Sequence, residues 1–248
     1  MNRYDPKLKP YIKKLDYSYT FGTYPTLDLL KLKPDRVLKV LLKPDSEKSD
    51  GVLEIKRICE EKNIPCEINE RAIDKIAYKE NTYALGIFQK YKTFLDILGD
   101  HIVLVEPRNM GNIGTIIRTM VGLGFKDLAI IGDSADLFDP KVVRSAMGAL
   151  FRINFNSYPT FTDYQKKFSQ HTLYPFILEN GRDIRQVAVD SPYTLIFGNE
   201  AKGLMGEFAN IGEPVYIPQH IGVDSLNLSI AAGIAMWHFA SISRKLAH

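Results

Sequence analysis

Two cysteines and five histidines are all that this 248-residue chain holds of the usual soft metal ligands. Cys59 and Cys66 stand seven residues apart with no third or fourth ligand nearby, which argues against both a zinc site and a disulfide framework. His101, His171, His220, His238 and His248 show no metal-ligand spacing, so no metal is expected. No apolar run approaches the ~18 to 20 residues of a membrane span. The lysine-rich start, Met1 to Leu15, lacks the apolar centre of a signal peptide, and a cytoplasmic location is expected. There is no Gly-Lys-Ser/Thr of a phosphate-binding P-loop and no Gly-x-Gly-x-x-Gly of a dinucleotide site. Internal repeats and low-complexity tracts are also missing.

What is present is ordinary in bulk and uneven in distribution. Hydrophobic residues make up 45% and charged residues 25%, as in globular proteins, and the length suits one large or two ordinary domains. The net charge is only +3, but residues 1–43 carry ten Lys or Arg against four acids, while residues 101–248 carry thirteen of each sign. Aromatics interleave with the basic residues: Tyr4, Tyr11, Tyr17, Tyr19, Phe21 and Tyr24. That combination suits a polyanion, most simply nucleic acid, although a solvated basic face has the same composition.

Periodicity divides the chain into a small α/β domain at 1–92, a connection at 93–100 and a larger α/β domain at 101–248. Residues 1–20 read as a basic helix or arm. Pro25 to Leu32 reads as a helix and Arg36 to Leu42 as a strand. Asp50 to Asn63 has helical spacing of Val52, Ile55, Ile58 and Cys59. A short strand at Pro65 to Asn69, a helix at Glu70 to Tyr78 and a strand at Thr82 to Tyr91, with Gly86 as a possible interruption, complete the first domain. The second restarts with His101 to Glu106, an apolar strand of the kind buried on both faces of a parallel sheet. A helix follows over Gly111 to Gly124, then a strand at Leu128 to Ile131 and a proline-started helix at Pro140 to Leu150. Further short strands fall at Ile153 to Phe155, Leu173 to Leu178, Thr194 to Gly198 and Pro214 to Ile217.

Three of the strands run into polar loops. Pro107 to Arg118 joins a strand to a helix through Asn112, Gly111 and Gly114; helix starts of this kind expose N–H groups that hold anions. Arg118 is set among apolar helix residues, where a buried charge would need an anionic partner. The second loop, after Thr194 to Phe197, reads Gly198-Asn199-Glu200-Ala201-Lys202-Gly203; Gly198 permits close backbone approach, and Glu200 offers an acceptor. The third runs from Ile217 and Pro218 to Ser225-Leu226-Asn227, where Ser225 or Asn227 can cap a small-residue helix reaching Trp237. Taken alone, the first reads also as an arginine paired with a local acid, the second reads better as a tight turn with a surface Glu, and the third equally well as a capped core helix. Together they place polar groups at strand ends, where α/β proteins hold ligands.

In these three motifs, over roughly residues 100–245, the sequence resembles the SpoU, or TrmH-type, family of RNA ribose 2′-O-methyltransferases. The resemblance implies an α/β parallel-sheet fold with a deep trefoil knot, S-adenosylmethionine held in the knot, and a homodimer with its site at or near the subunit interface. Matched position by position, Gly198, Asn199, Gly203, Ile217 and Leu226 resemble the cofactor-binding residues, and Asn112, Arg118, Glu200, Ser225 and Asn227 the polar residues of the catalytic centre. Ala201 departs from the family's frequent Gly. Residues 17–92 resemble more loosely the ribosomal-protein-like RNA-binding domain of rRNA-modifying members. Phe21 to Thr26 matches its glycine turn and Tyr83 to Phe88 its last strand, while Glu80-Asn81-Thr82 replaces the usual His-Gln-Gly.

The implied reaction transfers a methyl group to a ribose hydroxyl, a poor nucleophile that needs a base or a polarising contact. Within the three motifs the only His or Asp at an obvious base position are His220 and Asp224. The resemblance gives the central role to Arg118, whose guanidinium is a very weak acid. Phosphate binding and alkoxide stabilisation by Arg118 are therefore favoured over proton abstraction. The expected substrate is RNA of the 23S type, with tRNA as the alternative. An RNA-binding protein that keeps the fold without turnover is the rival from another class.

Overall fold

The computed structural model describes residues 8–44, 49–77, 82–178, 180–204, 206–220, 222 and 224–243. In chain order they form β1 (Tyr17–Phe21), α1 (Thr23–Leu32), β2 (Val37–Leu42), α2 (Asp50–Glu61), β3 (Cys66–Ile68), α3 (Glu70–Ile76), β4 (Ala84–Gln89), β5 (His101–Val105), α4 (Met110–Gly122), β6 (Asp127–Ile131), α5 (Pro140–Ser145), β7 (Asn154–Tyr158), α6 (Phe161–Lys167), β8 (Thr172–Pro175), β9 (Arg182–Asp183), β10 (Tyr193–Phe197), β11 (Val215–Tyr216) and α7 (Leu228–Ile242). The chain divides into two compact units: Met1–Tyr91 with Asp136–Arg152, and Lys92–Ala135 with Ile153–His248.

The first unit is a mixed sheet in the order β1-β4-β2-β3, with β4 antiparallel to both neighbours and β2 parallel to β3. Residues 17–21, of which 17–20 were expected within a basic helix or arm, form a strand whose five residues are all buried. Their aromatic and threonine side chains suit a pleated surface better than a helix. The apolar stripe of α2 (Val52, Ile55, Ile58, Cys59) is buried, and Ser49 caps the helix by accepting the Val52 N–H. Gly86 does not interrupt β4. A Cβ there would lie 2.5 Å from Thr20 Oγ1 and 3.0 Å from Leu29 Cδ2, while the Gly86 N–H donates to that same Thr20 oxygen.

Residues 136–152 differ from expectation twice. The helix stops at Ser145, because Met147 (φ 49°) and Gly148 (φ 85°) take the left-handed conformation that ends helices. The segment also packs in the first unit instead of the larger α/β domain expected at 101–248. Asp136 accepts from Lys90 Nζ at 2.9 Å, Arg152 donates to Asp28 at 2.7 Å, and the Phe88 ring meets Phe151 edge-on at 5.3 Å. The connection at 93–100 contains no helix. The end of the helix expected to reach Tyr78, and the Glu80-Asn81 pair, lie outside the described residues.

The second unit is built on a parallel sheet in the order β7-β6-β5-β10-β8. Strand order reverses beside β5: β6 and β7 follow on one side, and β10 and β8 lie on the other. Carboxyl ends of strands at such a reversal leave a crevice for ligands. The central strands β5 and β10 are almost wholly buried. On one face α7 crosses α4 closely; a Cβ on Gly233 would meet the Thr119 methyl at 3.8 Å.

Gly86→Ala is expected to destabilise the chain by about 1–3 kcal/mol through overpacking against Thr20 and Leu29. Urea unfolding followed by far-UV circular dichroism measures this.

Candidate active site

All three polar loops reach the carboxyl ends of β5 and β10 and the start of α7. Asn109 opens α4 by accepting the N–H groups of Gly111 (2.9 Å) and Asn112 (3.1 Å) on its Oδ1. The Glu200 carboxylate accepts from the backbone N–H of Asn109 (3.0 Å) and Arg108 (3.2 Å), and from Asn112 Nδ2 at 3.3 Å. Asn112 Oδ1 in turn accepts from Asn227 Nδ2 at 3.2 Å. Asn227 caps α7 with its own Oδ1, which accepts the Ser229 N–H at 2.9 Å. One chain of side-chain contacts, Glu200–Asn112–Asn227, thus joins the three loops. Ser225 is exposed and stands beside this chain without joining it.

Burial pushes the Glu200 carboxyl up, but hydrogen bonds from its own backbone, from Arg108, from Asn109 and from the Asn112 amide outweigh it and hold the group below the usual glutamate value. Glu200 is therefore an anion that neutralises the donor-rich start of α4.

Asn199 braces its loop. Its Nδ2 donates to the Glu106 carbonyl at 2.7 Å, and its Oδ1 accepts from the N–H groups of Ala201 and Lys202. Backbone bonds in both directions close Asn199 on Gly203. The Gly198 position takes its meaning from this closure. A Cβ there would lie 2.1 Å from the Gly203 carbonyl carbon and 2.3 Å from the Leu204 nitrogen. The close approach that the sequence suggests for Gly198 is that of the chain to itself, which shapes the wall a ligand would meet.

A cavity of about 590 Å³ lies against these loops. Gly198, Asn199, Gly203, Ile217 and Leu226 all line it, as do Glu200, Ser225 and Asn227. Asn112 is nearly buried, at 9% exposure, and adjoins the cavity through its bonds to Glu200 and Asn227. Arg118 is apart from them. Six helical residues separate it from Asn112, a rotation of about 240°, so it emerges on the exposed face of α4 with Gly111 and Thr115. The burial expected from its apolar neighbours does not occur, and it makes no hydrogen bond or ion pair with another described residue. His220 is exposed away from the lining, whereas exposed Asp224 contributes to it. Among the described residues no group of three His, Cys, Asp or Glu is placed to hold a metal.

Sequence reasoning missed Phe176, which lines the cavity and stacks on Phe197 at 4.8 Å and 17°. It also missed the capping role of Asn109. The Asn109-x-Gly111 spacing at a strand-to-helix turn could have revealed the cap; an aromatic at the end of an apolar strand carries no comparable signal.

Comparison with known proteins agrees with this geometry. The SpoU rRNA Methylase family model matches residues 100–237, and the chain belongs to that family. It is 33% identical over 142 residues to the Bacillus subtilis 23S rRNA (guanosine(2553)-2′-O)-methyltransferase RlmP, covering 55% of this chain and 56% of that relative. It is 27% identical over 190 residues to a Streptomyces laurentii 23S rRNA (adenosine(1067)-2′-O)-methyltransferase, covering 72% of this chain and 70% of the other. The aligned region thus spans only about half of the first of these relatives. Among solved structures, the AdoMet-bound rRNA methyltransferase from Sinorhizobium meliloti superposes with a TM-score of 0.79 at 25% identity, covering 94% of this chain and 89% of that one.

Carbon-13 NMR of the Glu200 carboxyl is expected to show a midpoint below the ordinary ~4.3. A carboxyl depressed in the folded state contributes stability above its unfolded value and loses it as pH falls through the lowered one. The Asn109 amide should therefore keep its hydrogen-bonded shift at pH 5 and lose it only in stronger acid; Glu200→Gln should remove this pH dependence.

Proposed function

We propose that this chain transfers a methyl group from S-adenosylmethionine to a ribose 2′-hydroxyl of 23S-type rRNA. The observation that carries this reading is the Glu200–Asn112–Asn227 chain at the mouth of the cavity, which gathers all three motifs of the family at one place. The rRNA 2′-O-methyltransferase names of the relatives support it. The residues fit the cofactor: the volume lies within the range of ligand pockets, the stacked Phe176 and Phe197 supply an apolar wall, and the loops offer backbone groups at Gly198, Gly203, Ile217 and Leu226. When bound there, S-adenosylmethionine supplies an electrophilic methyl group. The deep trefoil knot belongs to the same reading, and is supported by the return of Gly203 and Leu204 across Gly198 and by the parallel pairing of β9 with β11.

The protein's own residues then divide the remaining work. Asn112 and Asn227, each held by the other, orient the ribose. Glu200 holds the start of α4 in register and remains charged at neutral pH. Arg118 binds the phosphate beside the target ribose and stabilises the alkoxide that develops as the hydroxyl attacks. Because Arg118 faces solvent, away from its own cavity, it serves the cavity of a second copy. The face of α7 supports that dimer. Ile230, Ile234 and Trp237, spaced by four and three residues, leave 54%, 38% and 57% of their surface exposed on a helix that packs against α4. The first unit reads the RNA through its exposed basic residues, among them Lys9, Lys14 and Arg36.

Arg118→Ala is expected to lower methyl transfer to rRNA about 10²- to 10³-fold while S-adenosylmethionine still binds by calorimetry. Mixing Arg118→Ala with Asn227→Ala, each inactive alone, should restore activity through hybrid dimers; normal turnover by Arg118→Ala would remove the assigned role. Trp237→Glu should give monomers in sedimentation equilibrium. Lys9→Glu with Lys14→Glu and Arg36→Glu should weaken RNA binding and reduce its salt slope by ~1 per lost phosphate contact, leaving cofactor affinity unchanged. Mass-spectrometric mapping of 2′-O-methyl groups in rRNA and tRNA tests the substrate class.

A further inference from the structure

A second recess, of about 180 Å³, shares Asn199, Lys202 and Gly203 with the cavity, so one loop is a wall of both. It lies at the carboxyl ends of β5 and β6, where Glu106 and Gly132 follow the last strand residues. Its apolar lining is Val105, Ile131, Phe161 and Phe208. The two phenylalanine rings are buried and meet edge-on at 5.0 Å. The recess is smaller than the ~300 Å³ at which pockets for whole drug-sized ligands begin. It suits one flat ring system.

Glu106 is held in an unusual backbone conformation. Its φ of 49° is left-handed, which costs a residue with a side chain and persists only where the surroundings impose it. Its N–H donates to the Ile131 carbonyl at 2.9 Å, and its own carbonyl accepts from Asn199 Nδ2 at 2.7 Å. The side chain lies over Gly132; a Cβ there would stand 3.1 Å from Glu106 Cγ. Two unusual choices, a left-handed glutamate and a glycine beneath it, thus place one half-buried carboxylate at the recess. That carboxylate makes no hydrogen bond or ion pair with another described residue. Polar groups taken out of water without a partner are costly, so the position makes sense for a group that is met by a ligand.

We propose that this recess takes a guanine base of the RNA substrate, with the Glu106 carboxylate accepting from N1–H and N2–H and the Lys202 ammonium donating to O6.

The polar groups around the recess select this ligand. Lys202 is exposed, its backbone N–H is fixed on Asn199 Oδ1 at 3.2 Å, and its ammonium has no ion pair with another described residue. Glu207 is exposed on the rim. The Thr160 hydroxyl is spent locally, accepting the Asp163 N–H and donating to the Asp163 carboxylate. Two carboxylates against one ammonium disfavour a phosphate here and favour a ligand rich in N–H donors. A carboxylate accepts two donors side by side. Among the four RNA bases only guanine offers two adjacent N–H groups on its pairing edge, with a carbonyl oxygen next to them for the ammonium. Adenine and cytosine set one amine beside a bare ring nitrogen, and uracil flanks its single N–H with two carbonyls; each would press a lone pair against the second Glu106 oxygen. The apolar lining receives the ring itself, as sites for unstacked RNA bases do. The inference rests on the proposed methyl transfer to RNA. Because one loop walls both spaces, the guanosine would be the methylated nucleotide or its neighbour.

Amide NMR of the full chain, titrated with the four nucleoside monophosphates, tests this subsite. Guanosine monophosphate is expected to shift the Gly132 and Thr160 amides and to bind about tenfold more tightly than the adenosine, cytidine and uridine forms. Glu106→Gln turns one acceptor into a donor and should remove that preference, a loss of about tenfold, while calorimetry with S-adenosylmethionine shows that the variant is folded. Lys202→Met, at an exposed position, should weaken guanosine binding as well. A single-stranded oligonucleotide with one guanosine should displace the monophosphate; failure to compete would overturn RNA as the source of the base. Equal affinity for all four nucleotides in the unaltered chain would overturn the subsite whether or not the variants fold, and so would a guanosine preference that survives Glu106→Gln. Methyl transfer to rRNA is read separately. Methylation without guanosine preference would overturn the subsite alone, and guanosine binding without methylation would overturn methyl transfer and leave a guanine site.

Discussion

The second unit depends on one carboxylate. Glu200 stands at the end of a buried strand and reaches to two backbone N–H groups and a side-chain amide of a loop some ninety residues earlier in the chain. Free N–H groups at a helix start attract an anion, and this anion belongs to the protein itself. Because the bonds are charge-assisted they are stronger than neutral ones, and they fix the start of α4 before any substrate arrives. Asn112 is oriented by Glu200, and Asn227 by Asn112. The position of α7, and so of the cavity wall, is coupled to Glu200 through two amides.

That coupling explains why the site could be read in the sequence while its geometry could not. Strands such as His101 to Val105 and Tyr193 to Phe197 announce themselves as continuous apolar runs, and helices such as α2 by periodicity. Each polar loop lies next to one of these elements, so the loops could be placed at strand ends from pattern alone. Which polar atom meets which depends on strand order, and β5 and β10 are adjacent although ninety residues separate them. Arg118 illustrates the limit. Its neighbours Ile117 and Met120 are apolar, which suggested burial, but each helix residue turns about 100° from the one before, so an exposed side chain can directly follow a buried one. The face is decided by what α4 packs against, and that is α7, far along the chain.

The first unit shows a different limit. Tyr17 to Phe21 alternates large aromatics with small hydroxyl residues, a pattern that serves a strand, but the lysines before it directed the reading toward a basic arm. Its Tyr17 and Tyr19 rings pack edge to face at 5.6 Å, and Ser18 and Thr20 are buried on the other side with their hydroxyls satisfied. Charge composition describes a surface; it says little about the strand beneath. Gly86 was legible as unusual, and the possible interruption there is absent, because a missing side chain can serve close packing as well as a turn.

Residues 136–152 carry a consequence for how such proteins can change over time. The chain leaves the first unit at Tyr91, returns to it at Asp136 and leaves again after Arg152. A genetic exchange with one junction near residue 92 would bring in a new sheet but retain the old α5, with Phe138, Leu150 and Phe151 shaped for a core that is gone. Inheritance of the first unit is therefore tied to a segment encoded within the second. Change in the first unit is more accessible through substitutions on its exposed face than through replacement of the unit as a block.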